Sequence, residues 1–553
     1  LVGSEMCIRD SGSTGVSLNL ALQMESLTIN GGTGNDTIAG GVGADKIFAG
    51  LGDDVVIGLV GADSVDGGDG SDTLKLLSTS VALNAATDAQ LVNIETISAS
   101  TVQTTVSILL SKQTESVSIF SGSGSDSLSG GANGDTISAG AGNDTIVGFV
   151  GADSVDGGEG LDVIVLTATS SDLNAASNDQ LTGVESVSAA GAIKGVSISL
   201  ASQTEKFLLF GGLGADTITG GEGDDTINGG AGDDLISAGG GNDSITYQGA
   251  DTIDGGDGTD VIVLSSTATA LAPSANEQLV NVEAVSAAGV GVAVAINLAN
   301  QAEGFTITGG NASDTIAGSA SADIISAGFG NDVIIGFVGK DTIDGGSGND
   351  TLVLTATSDA LNAAGNDQLV SVDAVSASTA MGAVTITLAK QTEGFTLTGG
   401  AGADMLTGGS GADLIVAGAG ADVVYGFVGQ DTVDGGQGLD TVSLLATSAD
   451  LNAALDSQIL NLEAISAANA TSSVILTLAS QSEGFTLTGA AQDDQITGGA
   501  GADFIFAGFG DDWITDFVGA DTVDGGAGAD VLIITTTSTT VSYTHLTLPT
   551  ILL

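Results

Sequence analysis

Proline, cysteine, histidine and arginine are almost missing from this sequence. Its 553 residues include two prolines, one cysteine, one histidine, one arginine and seven lysines, and aromatic residues make up 3%. With a formal net charge of −60 and so few basic side chains, the chain repels nucleic-acid phosphates and anionic lipid; cations are its natural ligands. The single Cys7 and the single His545 lie at opposite ends, which excludes a disulfide framework, thiol catalysis and histidine-based metal or triad chemistry in between. A long membrane-spanning run is lacking too. The most apolar stretch, 284–298, aligns with Val196, Ile198 and Leu200 and with Val384, Ile386 and Leu388, which alternate with Ser or Thr as strand residues do.

The two ends read differently from the rest. LVGSEMCIRDS at the start and VSYTHLTLPT near the finish resemble translated sequencing-library adapters, so residues 1–11 and 541–553 are expected to be adapter-derived. That leaves about Gly12 to Thr540 as native chain, without Cys, Arg or His, and implies that both natural termini are absent.

What is abundant is glycine, 87 residues, beside 42% hydrophobic residues. Such a composition is that of a repeat architecture rather than of several globular domains. Acids fall in Gly/Asp turns and Val, Ile and Leu fall between them, so apolar surface is expected to be buried without burying carboxylates.

Thirty-one aspartates close glycine-rich six-residue turns. The first run is Asp36, Asp45, Asp54, Asp63 and Asp72, at nine-residue intervals. The later runs are Asp126, Asp135, Asp144, Asp153 and Asp162; Asp216, Asp225, Asp234, Asp243, Asp251 and Asp260; Asp314, Asp323, Asp332, Asp341 and Asp350; Asp404, Asp413, Asp422, Asp431 and Asp440; and Asp494, Asp503, Asp512, Asp521 and Asp530. A large aliphatic residue follows each Asp by two positions, as Ile38, Ile47, Val56, Val65 and Leu74 show, where it can point into a shared core. Ordinary turns also favour Gly and Asp, but they do not keep a nine-residue phase together with a 90-residue super-period.

That super-period divides the chain into 12–30 as the end of a spacer, modules at 31–120, 121–210, 211–308 (with one extra nonapeptide), 309–398 and 399–488, and a partial module at 489–540. With no Pro-rich or Ser-rich linker, the modules are expected to stack into one rod. The other half of each module, such as Thr167 to Phe210, reads as a short helical or irregular segment around Asp172 to Leu181 and then strand-like runs. These read as longer coils of the same solenoid, with a compact α+β insert in every module as the competing view.

The repeat GGxGxDxUx, with U a large aliphatic residue, resembles the repeats-in-toxin (RTX) family, hemolysin-type calcium-binding nonapeptide-repeat proteins secreted by bacteria. The resemblance implies an all-β fold, a right-handed parallel β-roll or β-solenoid in which two nonapeptides complete one circuit. It implies Ca²⁺, in many copies, between neighbouring turns on one side, held by turn carbonyls and by the thirty-one aspartates. It further implies export through type I secretion machinery, a secreted or cell-surface location and contact with cell-surface or matrix components. Without a counter-cation the stacked carboxylates repel, so cation binding is expected to be coupled to folding.

Departures from the motif mark weaker sites. Leu59, Phe149, Phe337, Phe427 and Phe517 replace the second glycine of the fourth repeat, the turn before Asp251 is one residue short, and Asp314 and Asp494 follow irregular turns. Asp66, Asp156, Asp254, Asp344, Asp434 and Asp524 read equally as extra ligands or as turn caps. Glu185 with Glu205, Glu95 with Glu115 and Glu463 with Glu483 could be drawn as carboxylate pairs for hydrolysis, yet repeated sites without an aromatic platform argue for surface or spacer-packing roles, and no enzyme is expected. The recurring Gln113, Gln203, Gln301, Gln391 and Gln481 suit hydrogen bonding at a coil corner, and Trp513 suits covering a core end. No phosphate-loop GxxxxGK[ST] is present. The chain therefore reads as a structural, adhesin-like calcium protein; the rival reading is the repeat tail of a secreted protease, lipase or pore-former. An ice-binding roll is disfavoured, because Thr33, Val42, Leu51, Val60 and Asp69 form no Thr/Asn row.

Overall fold

The computed structural model describes residues 6–9, 13–266, 270–273, 275–515, 518–534, 542–544 and 551–552. Phe517 and His545 lie outside the described residues. The fold is all-β, a parallel β-solenoid, with only five-residue α-helices and short 3-10 turns among the described residues.

Nine-residue phase becomes architecture through register. Thr37–Ala39 pairs in parallel with Val55–Ile57, which pairs with Thr73–Lys75, each step advancing 18 residues. Two nonapeptides thus complete one coil, with one short strand on each side of it. The middle residue of each strand points inward and its two neighbours outward, the period-2 geometry of a strand. Ile38, Val56, Leu74, Ile47 and Val65 are accordingly 0–1% exposed. Each such burial contributes roughly 1.5–3 kcal/mol, repeated along the chain.

The spacer halves are longer coils of the same solenoid, and no compact α+β insert is seen among the described residues. Thr73–Lys75 pairs with Thr96–Ser98 and that strand with Ser118–Phe120, so the steps lengthen to 23 and 22 residues before returning to 18 at Thr136–Ser138. The extra residues form a short helical corner. Val81–Ala85 is one, capped by Ser80, whose hydroxyl accepts the Leu83 N–H while donating to the Leu59 carbonyl. Leu173–Ala175 and Asn178–Gln180 take the equivalent place later, within the segment expected to be helical or irregular. Gln113, Gln203, Gln301, Gln391 and Gln481 are buried and donate through Nε2 to corner carbonyls, as Gln203 does to Ala176 at 3.1 Å.

The contacts divide the chain into two compact units, 1–263 with 277–284, and 264–276 with 285–553. In the first, nine strands from Ser17–Asn19 to Leu181–Thr182 form one parallel sheet; in the second, nine strands from Thr385–Thr387 to Ser542–Thr544 do the same. Met6–Arg9, within the segment expected to be adapter-derived, pairs with Leu27–Asn30; that pairing does not bear on its origin. No helix among the described residues is long and apolar enough to cross a membrane.

Candidate metal centre

All thirty-one turn aspartates are buried, 0–4% exposed. This overturns the expectation that charge and apolar surface separate. The carboxylates enter the interior because they complete the hydrogen bonding of the turns. Asp54 Oδ1 accepts the Asp36 N–H at 2.7 Å, Asp72 Oδ1 accepts the Asp54 N–H at 2.8 Å, and the pattern recurs from coil to coil. A buried N–H without an acceptor would cost about 1–3 kcal/mol, so each aspartate holds the coil before it.

The second carboxylate oxygen divides the turns into three kinds. At Asp36, Asp54, Asp72, Asp144, Asp162, Asp234, Asp243, Asp260, Asp332, Asp350, Asp422, Asp440, Asp512 and Asp530, Oδ2 is buried and has no hydrogen-bond partner among the described residues. In these turns the glycines four and two residues before the Asp have positive φ, as Gly140 (+97°) and Gly142 (+135°) do before Asp144. We term them open turns. At Asp45, Asp126, Asp135, Asp216, Asp225, Asp314, Asp323, Asp404, Asp413, Asp494 and Asp503 the N–H four residues earlier caps Oδ2, as Gly131 does for Asp135 at 2.6 Å. The irregular turns leading into Asp314 and Asp494 therefore hold their aspartates as their regular neighbours do.

The turn before the last in each cluster is a third kind. Leu59, Phe149, Phe337 and Phe427 are buried at 0–3% exposure, and the N–H three residues before the Asp closes Oδ2, from Val60, Val150, Val338 and Val428 at 2.7–3.0 Å. The shortened turn closes likewise, Gln248 to Asp251 at 2.9 Å, and Asp521 accepts from Val518.

Burial pushes several of these carboxyls up, partly offset by the backbone N–H bonds and reinforced by neighbouring acids. Asp72, Asp144 and Asp422 rise to about 6, and Asp243 to about 7. Asp153 also rises to about 6, for the same first reason.

A hard cation that prefers six to eight oxygens suits the open turn. There an orphaned carboxylate oxygen and a backbone carbonyl converge: a methyl group added to Gly31 would fall 2.5 Å from Asp36 Oδ2 and onto the Ala49 carbonyl oxygen. No three acidic, His or Cys side chains gather into a metal-binding group among the described residues. Turn carbonyls would therefore supply most ligands, and the residues present fit calcium on those terms.

Sequence reasoning missed one set of residues. Glu95, Glu185, Glu283, Asp373 and Glu463 each accept the backbone N–H of the last aspartate in the preceding cluster, at 2.7–2.8 Å, and so continue the ladder into the spacer. The signal was there: in Glu95-Thr-Ile97 and Glu185-Ser-Val187 the acid precedes an aliphatic residue by two, as in the nonapeptides. For Glu95, Glu185 and Glu463 the expected surface or packing role is thus replaced by a defined hydrogen bond. Asp66, Asp254 and Asp434 accept from Asn93, Asn281 and Asn461 Nδ2, the turn-cap role. Trp513 is 53% exposed and covers no core end. It stands at the outward first position of its strand, Trp513–Thr515.

A family model described as RTX calcium-binding nonapeptide repeat (4 copies) matches this chain in adjoining or overlapping stretches covering 28–74, 118–164, 210–266, 306–352, 396–442 and 486–532, together more than half of it. No curated protein matches the chain.

Proposed function

The chain belongs to the RTX calcium-binding nonapeptide-repeat family, and on that premise we propose that it is a structural, adhesin-like element of a bacterial surface or its surrounding matrix, exported through type I secretion machinery and folded by the calcium it meets outside. The observation that carries this reading is the set of buried, unpartnered Oδ2 atoms in the open turns. Each is an anionic oxygen removed from water with no hydrogen-bond partner among the described residues, an arrangement a cation would stabilise and its removal would undo. The open-turn aspartates hold the ions together with turn carbonyls. The capped aspartates, including Asp63, Asp153, Asp251, Asp341, Asp431 and Asp521 of the next-to-last turns, serve chiefly as acceptors for backbone N–H groups.

Calcium supplies the positive charge that lets the carboxylate stack close. Its binding free energy becomes folding free energy, because the unfolded chain has no preformed site. Extracellular calcium modules bind at roughly 10⁻⁴–10⁻³ M, so the chain stays unfolded at cytosolic calcium and orders outside. Circular dichroism during a calcium titration tests this. A β signal appearing cooperatively is the expected result; an unchanged spectrum up to about 10 mM, on the order of ten times the weakest such affinity, overturns it.

A further inference from the structure

The last aspartate of each of the first five clusters faces a spacer coil instead of another nonapeptide. At this seam Asp72, Asp162, Asp260, Asp350 and Asp440 are 0–1% exposed and keep Oδ2 unpartnered. Opposite each stands the acid that continues the ladder, Glu95, Glu185, Glu283, Asp373 or Glu463, with one carboxylate oxygen spent on the N–H of that aspartate. Two residues before the spacer acid, the chain adopts positive φ: Asn93 +52°, Gly183 +58°, Asn281 +51°, Ser371 +52° and Asn461 +49°. Four of the five are not glycine, a conformation that costs about 1 kcal/mol or more. The turn carries the carbonyl oxygen of that residue toward the orphaned Oδ2. A methyl group added to Gly67 would fall 2.6 Å from Asp72 Oδ2 and onto the Asn93 carbonyl, and Gly157, Gly255, Gly345 and Gly435 sit in the same relation to their own seams. Asp66, Asp254 and Asp434 hold the Asn side chains at 2.7–2.8 Å and so position these carbonyls.

We propose that each seam is a divalent-cation site of its own, built from the last cluster aspartate, the spacer acid and the carbonyl of the positive-φ residue, and taking calcium. It rests on the calcium reading above but extends it beyond the nonapeptides, since the spacer acids lie outside every stretch matched by the family model. The site ties each repeat cluster to the coil that follows it.

The test replaces the spacer acids in the full chain by Glu95→Gln, Glu185→Gln, Glu283→Gln, Asp373→Asn and Glu463→Gln together. The amides keep an oxygen to accept the backbone N–H and lose only the charge. Bound calcium at saturation, measured by equilibrium dialysis with ⁴⁵Ca, is expected to fall by five ions, one per substituted seam acid. An unchanged count overturns the seam sites while leaving the nonapeptide sites standing, whereas a parent chain that binds no calcium overturns both. The single Glu185→Gln variant answers even if the fivefold variant does not fold. It is expected to lower the melting temperature in calcium and not in chelator; an equal shift in both conditions shows a hydrogen-bond acceptor only.

Discussion

Asp144 and Asp153 sit nine residues apart in one cluster, both buried, both raised to about 6, and they do different work. Asp144 gives Oδ1 to the Asp126 N–H and keeps Oδ2 free, behind a turn of left-handed glycines. Asp153 gives Oδ1 to the Asp135 N–H and Oδ2 to the Val150 N–H, behind a turn whose Phe149 is folded into the core. In the first turn the interior oxygen has no hydrogen-bond partner among the described residues; in the second, hydrophobic packing and a second N–H complete the turn. On the calcium reading proposed above, one repeat serves two purposes, a metal turn and a self-sufficient turn that keeps the coil in register.

Acid should replace calcium at the aspartates that burial raises, and this is the largest effect expected. The turn aspartates titrate near 3.8 when unperturbed, and burial raises several to about 6 and Asp243 to about 7 in the folded chain. The folded state thus holds protons that the unfolded state has released. The stabilisation is complete below about pH 4 and is lost as pH rises through 6 to 7. In chelator, circular dichroism should show more β structure at pH 4.5 than at pH 7.5, with calcium restoring it at the higher pH. Equal spectra in chelator at both values would contradict the burial.

A pair of substitutions separates the two turns at smaller scale. Asp144→Asn keeps the acceptor for Asp126 and removes an uncompensated charge, so in chelator the melting temperature should hold or rise, while in calcium it should fall. Asp153→Asn sets an amide NH₂ against either the Asp135 or the Val150 N–H and should cost about 1–3 kcal/mol in both conditions. If the two variants respond alike to calcium, the distinction between the turns fails.

Much of this was legible in the residues. The nine-residue phase, the aliphatic residue two positions after each Asp and the lengthened spacer coils are local patterns, and strand register and core follow from them. The kind of turn was not legible, because similar sequences adopt both forms. GGTGND36 makes an open turn and GGVGAD45 a capped one. In the later clusters the difference lies in what is underneath: Gly122 and Gly131 rest on the spacer residues Val102 and Gln113, whereas Gly140 rests on Gly122 of an earlier nonapeptide. Such stacking is a property of the coil, not of the nine residues. The burial of the carboxylates was hidden for a related reason, since hydropathy counts an aspartate as polar whether or not a backbone N–H from another coil waits for it. Phe149 showed only as a broken motif, although its size was the clue that the fourth turn is filled from within.

The central claim, that a cation lies beside the unpartnered oxygen of each open turn, is tested most directly by diffraction from crystals grown in calcium, with anomalous data collected at long wavelength to locate calcium. Anomalous peaks next to Oδ2 of Asp54, Asp144, Asp332 and their open-turn counterparts, and none next to Oδ2 of Asp153 or Asp341, are the expected result. A map with ordered open turns and no peak beside those oxygens would contradict the account.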